Sequence, residues 1–413
     1  MNWRIALRLL LVALATMAIA GVRPAYTQAR PADPSERQIL VMLKMPPPHF
    51  RPGASYGGGY GDTTALAARR RVAIGIAKRH GLTLLDSWPM PLIGVDCYVM
   101  RVPDGMTIDD AVLRVSKEPN VAWSQPLQLY EARGSPAGGQ TNDPLFPAEP
   151  AATLWHLADL HRIATGRGVT IAIVDSKIDV AHPDLSGQFS ANMDFVPRRA
   201  TTSEAHGTGV AGIVGAKAGN GIGIAGIAPD ARMMALRACW QTPAGPTLCD
   251  SLSLARALQY AIDHGAQVIN LSLAGPNDRL LAQLIAIASA RNISVITAYD
   301  PALPQGGFPA SLPGVIAVAE ENGQSLPARV FGAPGRDVPT TQPGGKWYLV
   351  NGSSYAVAHV SGLVALARQA GGRAKVGLVR TSSGAVDACA TLVLVTPGCD
   401  CSCSVDRRAP RRR

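Results

Sequence analysis

The sequence is poor in charge. Only 16% of its 413 residues are Asp, Glu, Lys or Arg, against 47% hydrophobic. That balance excludes a self-repelling disordered chain and a long charged coiled coil. Aromatic residues are scarcer still, at 5%, and no stacking or recognition-helix pattern accompanies the basic residues, so nucleic acid is not the expected partner. Acid is short of base, 29 residues to 39, which leaves a formal charge of +10. Five of the arginines (Arg407, Arg408, Arg411, Arg412, Arg413) fall in the last seven residues, however, and read as a solvated tail. What is plentiful is 42 Gly and 32 Pro, the mark of a turn-rich globular protein. The length implies two folded units with short connecting segments.

The apolar run over residues 9–20 is too short for a comfortable bilayer span. With Arg4 before it and small residues after, it reads as a secretory signal peptide over residues 1–27, cut after Ala20 or near Thr27. The expected location is secreted or periplasmic, with no further membrane contact. Export makes disulfides possible. Cys239 and Cys249 bracket a short Pro- and Gly-containing loop and are expected to pair, whereas Cys389, Cys399, Cys401 and Cys403 cluster without a neighbouring histidine and suit disulfides better than a metal. Cys97 is left over.

Residues 36–132 read as a small α+β module. Its expected elements are a strand at 38–44, a helix at 63–80 stopped by Gly81, strands at 82–85 and 95–102, a helix at 107–117 with Asp109 and Asp110 in its first turn, and a strand at 121–130. Strand, helix, strand, strand, helix, strand is the split βαβ order of ferredoxin-like folds. The run Arg69-Arg70-Arg71 reads as solvated. A Gly/Pro/Ser stretch at 133–142 follows as a linker. Over 143–398, apolar strands (169–174, 268–273, 294–298, 314–319) alternate with helices (252–264, 279–290), which predicts a doubly wound, mostly parallel sheet. Residues 399–413 form a Cys/Arg-rich tail.

Three segments carry candidate chemistry. Asp175 ends an apolar strand, in Val174-Asp175-Ser176-Lys177, and His182-Pro183-Asp184-Leu185 lies just beyond. His206-Gly207-Thr208-Gly209 opens a helix, and so does Gly352-Ser353-Ser354-Tyr355-Ala356, with His359 five residues after Ser354. Singly, each reads as a turn cap, a structural histidine or a helix cap. Together, in the order Asp, His, Ser and separated by 31 residues (175 to 206) and 148 residues (206 to 354), they resemble the three motifs of the subtilisin-like serine proteases. The same resemblance runs through Ala225-Gly226-Ile227-Ala228-Pro229, Asn270-Leu271-Ser272-Leu273, Phe308-Pro309-Ala310 and Ala333-Pro334-Gly335. It extends over residues 142–369, and the module before it resembles that family's inhibitory prodomain. The triad order is not that of an α/β-hydrolase.

The resemblance implies a secreted serine endopeptidase, made as a zymogen and acting as a monomer on peptides or proteins. Ser354 would be the nucleophile, His206 the general base and acid, and Asp175 the residue that orients the imidazole. Ser272, Leu273, Ala274 and Gly275 would pair with an extended substrate, with Tyr299 and Gly307 also at the substrate site. The prodomain would act as an intramolecular inhibitor. No cofactor is required for the chemistry, and a structural calcium ion on Asp184 and Asn220 is implied. Lys177, Ala274 and Ala358 depart from the family's glycine, glycine and proline. The heaviest departure is Thr297-Ala298-Tyr299-Asp300, where Asp300 takes the place of an oxyanion-binding asparagine and Tyr299 that of a glycine beside the specificity pocket. Loss of one such donor costs about 10²–10³ in kcat. The rival reading is therefore a very weak protease or pseudoenzyme that binds peptides on the same scaffold.

Overall fold

The computed structural model describes residues 37–45, 63–132, 135–140, 145–196, 199, 202–242, 245–323, 325–372 and 376–396. The signal peptide, the Cys/Arg-rich tail, and residues 133, 134, 141 and 142 of the linker lie outside them. The first module builds β1 (Gln38–Lys44), α1 (Thr63–Arg79), β2 (Thr83–Met90), β3 (Val95–Arg101), α2 (Ile108–Val115) and β4 (Val121–Pro126). The sheet order is β2-β3-β1-β4 with antiparallel neighbours. It is the ferredoxin-like arrangement that the element order predicts.

Alternation along β1 divides its side chains between two cores. Ile39, Val41 and Leu43 pack on Ala73 and Ile76 of α1 and on Ala111 and Val115 of α2. Leu40 and Met42 face the other way, into a core shared with the second module. The start of α2 is fixed by Thr107, whose Oγ1 accepts from the Asp110 N–H at 3.1 Å. Arg70 and Arg71 are exposed, as the solvated run predicts, but Arg69 is part-buried and ion-pairs with the buried Asp96.

The second module is built on seven strands. In spatial order they are Val330–Ala333, Ile316–Glu320, Ser294–Ala298, Val268–Leu271, Thr170–Asp175, Arg232–Arg237 and Phe189–Asp194. Every neighbouring pair is parallel. The chain starts in the middle, at Thr170–Asp175, runs to the far edge at Phe189–Asp194, returns to Arg232–Arg237 between them, then crosses to Val268–Leu271 and winds outward to the other edge. That reversal is a topological switch point, and sites in such sheets form beyond the carboxyl ends of the strands there. Helices Ala205–Gly215 and Ser353–Gly371 pack into one core, while Ser251–Asp263 and Arg279–Ala290 pack into the other.

The small module docks on those last two helices. Leu40, Met42, Val99 and Trp123 share a core with Leu252, Ala255, Leu281 and Ile285. Within the buried contact Gln125 Nε2 donates to Asp278 Oδ1 at 2.8 Å; Arg256 also donates to Asp86 at 2.8 Å, and Arg279 stacks over Trp123. Two segments differ from the sequence expectation. The strand read over 121–130 breaks at Pro126, which has no N–H to continue the ladder. A separate strand, Leu129–Ala132, then joins a different sheet. Likewise Ser135–Gln140, read as part of an exposed linker, is a strand paired antiparallel with Lys346–Asn351.

Candidate active site

Asp175 closes its strand at the switch point, and its side chain is buried. His206 stands in the first turn of helix Ala205–Gly215, which lies against the segment that follows Asp175. Contact is that close because residue 207 is glycine: a Cβ there would sit 2.5 Å from the Ser176 carbonyl oxygen. The imidazole Nδ1 meets Asp175 Oδ1 at 2.7 Å with both side chains buried, and the Tyr355 ring lies 5.7 Å from it. A carboxylate on Nδ1 fixes that nitrogen as the donor and leaves Nε2 as the acceptor. Nε2 has no hydrogen-bond partner among the described residues.

Ser354 lies in the first turn of helix Ser353–Gly371 and is fully buried. Its hydroxyl donates to the Ser272 carbonyl at 3.0 Å, and the Ser272 hydroxyl donates to the Ser354 carbonyl at 3.2 Å. Ser272, expected to pair with substrate, is tied here to Ser354 by both bonds. Leu273 and Ala274 do form a strand edge: they pair antiparallel with Ala132 and Glu131. Gly275 does not join this ladder, because its backbone exchanges hydrogen bonds with Phe308, at 2.8 and 3.1 Å.

On its other side Leu129–Ala132 pairs antiparallel with Thr247–Asp250. The chain's own strand therefore lies between two edges, as a third strand. Tyr130 is buried there, 6.0 Å from the Phe308 ring, and burial followed by the Asp278 charge raises its hydroxyl pKa. Just past residues 133 and 134, Ser135 pairs with Asn351, three residues before Ser354. Cys239 and Cys249, joined by a disulfide, face each other across the hairpin of Cys239–Gln241 and Thr247–Asp250 in the same sheet.

Asp300 is buried just beyond strand Ser294–Ala298. Its Oδ1 accepts from the Ala302 N–H at 3.0 Å, and its own N–H donates to the Gly306 carbonyl at 3.0 Å. Tyr299 packs beside Ala310, Ala317 and Ala319, and its ring lies against Gly306, next to Gly307. Asp184 and Asn220 are adjacent, but Asn220 turns its nitrogen to the carboxylate, donating to Oδ1 at 2.8 Å. A donor and an acceptor satisfied by each other in this way do not fit a shared cation.

Sequence reasoning passed over Glu204. Its Oε2 accepts from the Lys177 N–H at 2.7 Å and its Oε1 from the Gln241 N–H at 2.8 Å, while its own N–H donates to the Lys177 carbonyl. It thereby joins the segment after Asp175 to the helix of His206, and burial, the largest influence, raises its pKa. A carboxylate two residues before the histidine was the only signal in the sequence. Lys177 fills the place of a glycine by making these bonds through its backbone alone.

A model of the subtilase family matches residues 166–381. The thermophilic serine proteinase of Bacillus sp. (strain AK1) is 32% identical over 283 residues, which are 63% of this chain and 66% of that protein. Subtilisin E of Bacillus subtilis (strain 168) is 33% identical over 281 residues, 63% of this chain and 68% of that one. M-protease of Shouchella clausii is 33% identical over 221 residues, and the match spans only 56% of its length. In fold, the chain is similar to fervidolysin from Fervidobacterium pennivorans, with a TM-score of 0.65 at 22% identity, covering 88% of this chain and 62% of that one. The Asp, His and Ser segments all fall inside the matched stretch and meet at one switch point, and the chain belongs to the subtilase family.

Proposed function

We propose that the protein is a secreted serine endopeptidase made as a zymogen, with its own chain lying through the substrate groove. The single observation that carries this reading is the path of the backbone. Leu129–Ala132 is a strand between Thr247–Asp250 and Leu273–Ala274, and Ser135 resumes as a strand against Asn351, so residues 133 and 134 join two strands on either side of Ser354. An extended chain held by main-chain bonds on both sides is the way a peptide adds to a sheet edge. The small module, buried against the helices behind the groove, holds that strand in place as an intramolecular inhibitor.

Turnover uses the paired side chains. The Ser354 hydroxyl leaves the Ser272 carbonyl and donates instead to Nε2 of His206, which has no other partner among the described residues. The imidazole then takes the hydroxyl proton as the oxygen attacks the peptide carbonyl, and returns it to the leaving amine. Asp175 holds the ring and stabilises its charged form through the 2.7 Å bond on Nδ1. No metal or cofactor enters these steps.

A second reading has its own support. The Asp300 carboxylate spends Oδ1 as an acceptor, and an oxyanion needs donors. That favours slow turnover or a peptide-binding protein without turnover. Labelling of the purified protein with a fluorophosphonate probe separates the two readings. A competent triad labels wild type and not Ser354→Ala, and mass spectrometry then finds the wild type cut near residues 133–134 and the variant intact. Equal processing of Ser354→Ala, expressed without other proteases, sinks self-maturation. Absence of label on a folded wild type freed of the segment before Ser135 sinks the enzyme.

A further inference from the structure

The resemblance implies a calcium ion on Asp184 and Asn220, and the chemistry around these residues contradicts it. Asp184 is fully buried, and its carboxylate already receives three N–H donors. They are Asn220 Nδ2 on Oδ1 at 2.8 Å, the Trp347 indole Nε1 on Oδ2 at 2.8 Å, and the Ile224 backbone N–H on Oδ2 at 3.1 Å. The Asn220 oxygen is not free to turn inward, because it accepts from the Ile222 N–H at 3.0 Å. Calcium collects six to eight oxygen ligands. Here the carboxylate meets the positive ends of three N–H bonds instead, and an indole N–H is a donor in every state.

The surroundings close the same space. Gly223, at φ +57°, passes directly over the pair: a Cβ there would stand 2.0 Å from Asp184 Oδ2 and 2.1 Å from Trp347 Nε1. The indole is held from its other side by His182, edge to face at 4.9 Å. That ring is fixed in turn, with Nδ1 accepting from the Asp184 N–H at 3.2 Å and Nε2 donating to the Lys346 carbonyl at 3.0 Å. Among the described residues, no group of three or more His, Cys, Asp or Glu could hold a metal ion.

We infer that the Trp347 indole takes the structural part the resemblance gives to calcium, so that the loop after the His206 helix is held by hydrogen bonds and the folded protein neither binds nor needs calcium there. The position explains why such a bond matters. Asp184 follows Asp175 in sequence, Asn220 and Ile224 belong to the loop after helix Ala205–Gly215, and Trp347 belongs to strand Lys346–Asn351, which leads into the helix of Ser354. One carboxylate therefore ties together chain segments adjoining all three motif residues.

The test uses the full chain as Ser354→Ala, which keeps autolysis out of the measurement and makes the result independent of whether the wild type is an enzyme. Thermal unfolding is followed with excess EDTA and with excess calcium chloride, and calcium chloride is titrated calorimetrically. The expected result is the same Tm in both conditions and no binding heat. Adding Trp347→Phe, which keeps a ring and removes the N–H, is expected to lower Tm by several degrees. A calcium-dependent rise in Tm, or stoichiometric binding that Asp184→Asn abolishes, overturns the inference, and so does a Trp347→Phe protein with unchanged Tm. Should Trp347→Phe fail to fold, the calcium titration of the Ser354→Ala parent decides alone.

Discussion

Replacing Asp300 by asparagine changes the chemistry of one atom and almost nothing of the shape. The backbone of residue 300 carries two of its turn's bonds, its N–H to Gly306 at 3.0 Å and its carbonyl from the Leu303 N–H at 3.1 Å, and neither depends on the side chain. The third bond, Oδ1 from the Ala302 N–H, survives in an amide whose oxygen stays in place. Its weakening from a charged to a neutral acceptor costs about 1 kcal/mol of stability. The second carboxylate oxygen becomes an NH₂ donor, and an oxyanion donor is worth about 2.7–4 kcal/mol, or 10²–10³ in kcat. The amide is held by Ala302 rather than by substrate, so the expected gain is set at the lower level of about tenfold or more, about 1.4 kcal/mol. The assay is kcat/KM on a quenched fluorescent peptide copying residues 129–136, measured from acid to alkaline pH, with Tm recorded for both proteins. A folded Asp300→Asn with an unchanged or lower rate at every pH refutes the placement of residue 300 at the oxyanion.

Two further outcomes follow from buried groups. Burial lowers the pKa of His359 to about 4, although its contact with the Tyr355 carbonyl opposes the shift. The folded state therefore resists a proton that the unfolded chain takes up near pH 6.5. Stability is full above that pH and is lost as pH falls toward 4, by up to about 3 kcal/mol. In urea melts of the Ser354→Ala chain, His359→Met should remove this slope, and an undiminished slope refutes the assignment. Replacing Cys239 and Cys249 by serine opens a ten-residue loop in that hairpin. It should lower unfolding stability by about 2–3 kcal/mol, and denaturant midpoints equal to wild type would refute that contribution.

Much of this fold is legible because its signals are local. Helix Arg279–Ala290 begins after Asp278, whose side chain accepts from the Leu281 N–H, and its apolar spacing marks both ends. The split βαβ order of the first module follows from six segments marked by composition, alternation and stop signals such as Gly81. Ser135–Gln140 gives no such signal, since its Gly, Pro and Ser suggest a loop, and its pairing with Lys346–Asn351 comes from main-chain atoms that composition does not report. The site divides in the same way. Asp175, His206 and Ser354 stand in short motifs that can be read as text. Glu204 and Trp347 act across 27 residues (177 to 204) and 163 residues (184 to 347), and their partners are fixed by the tertiary structure alone.

The strands Leu129–Ala132 and Ser135–Gln140 sit in two different sheets and are joined by only two residues. While the chain is whole, each strand holds the other at the high effective concentration that a short tether imposes. A single cut between them ends that mutual support unequally. The first strand stays attached to a folded module with a large apolar contact, whereas the second keeps its main-chain bonds to Lys346–Asn351. On the zymogen reading proposed above, the half of the groove beyond Ser354 should therefore empty before the half that precedes it, giving activation a lag set by departure of the module rather than by the cut.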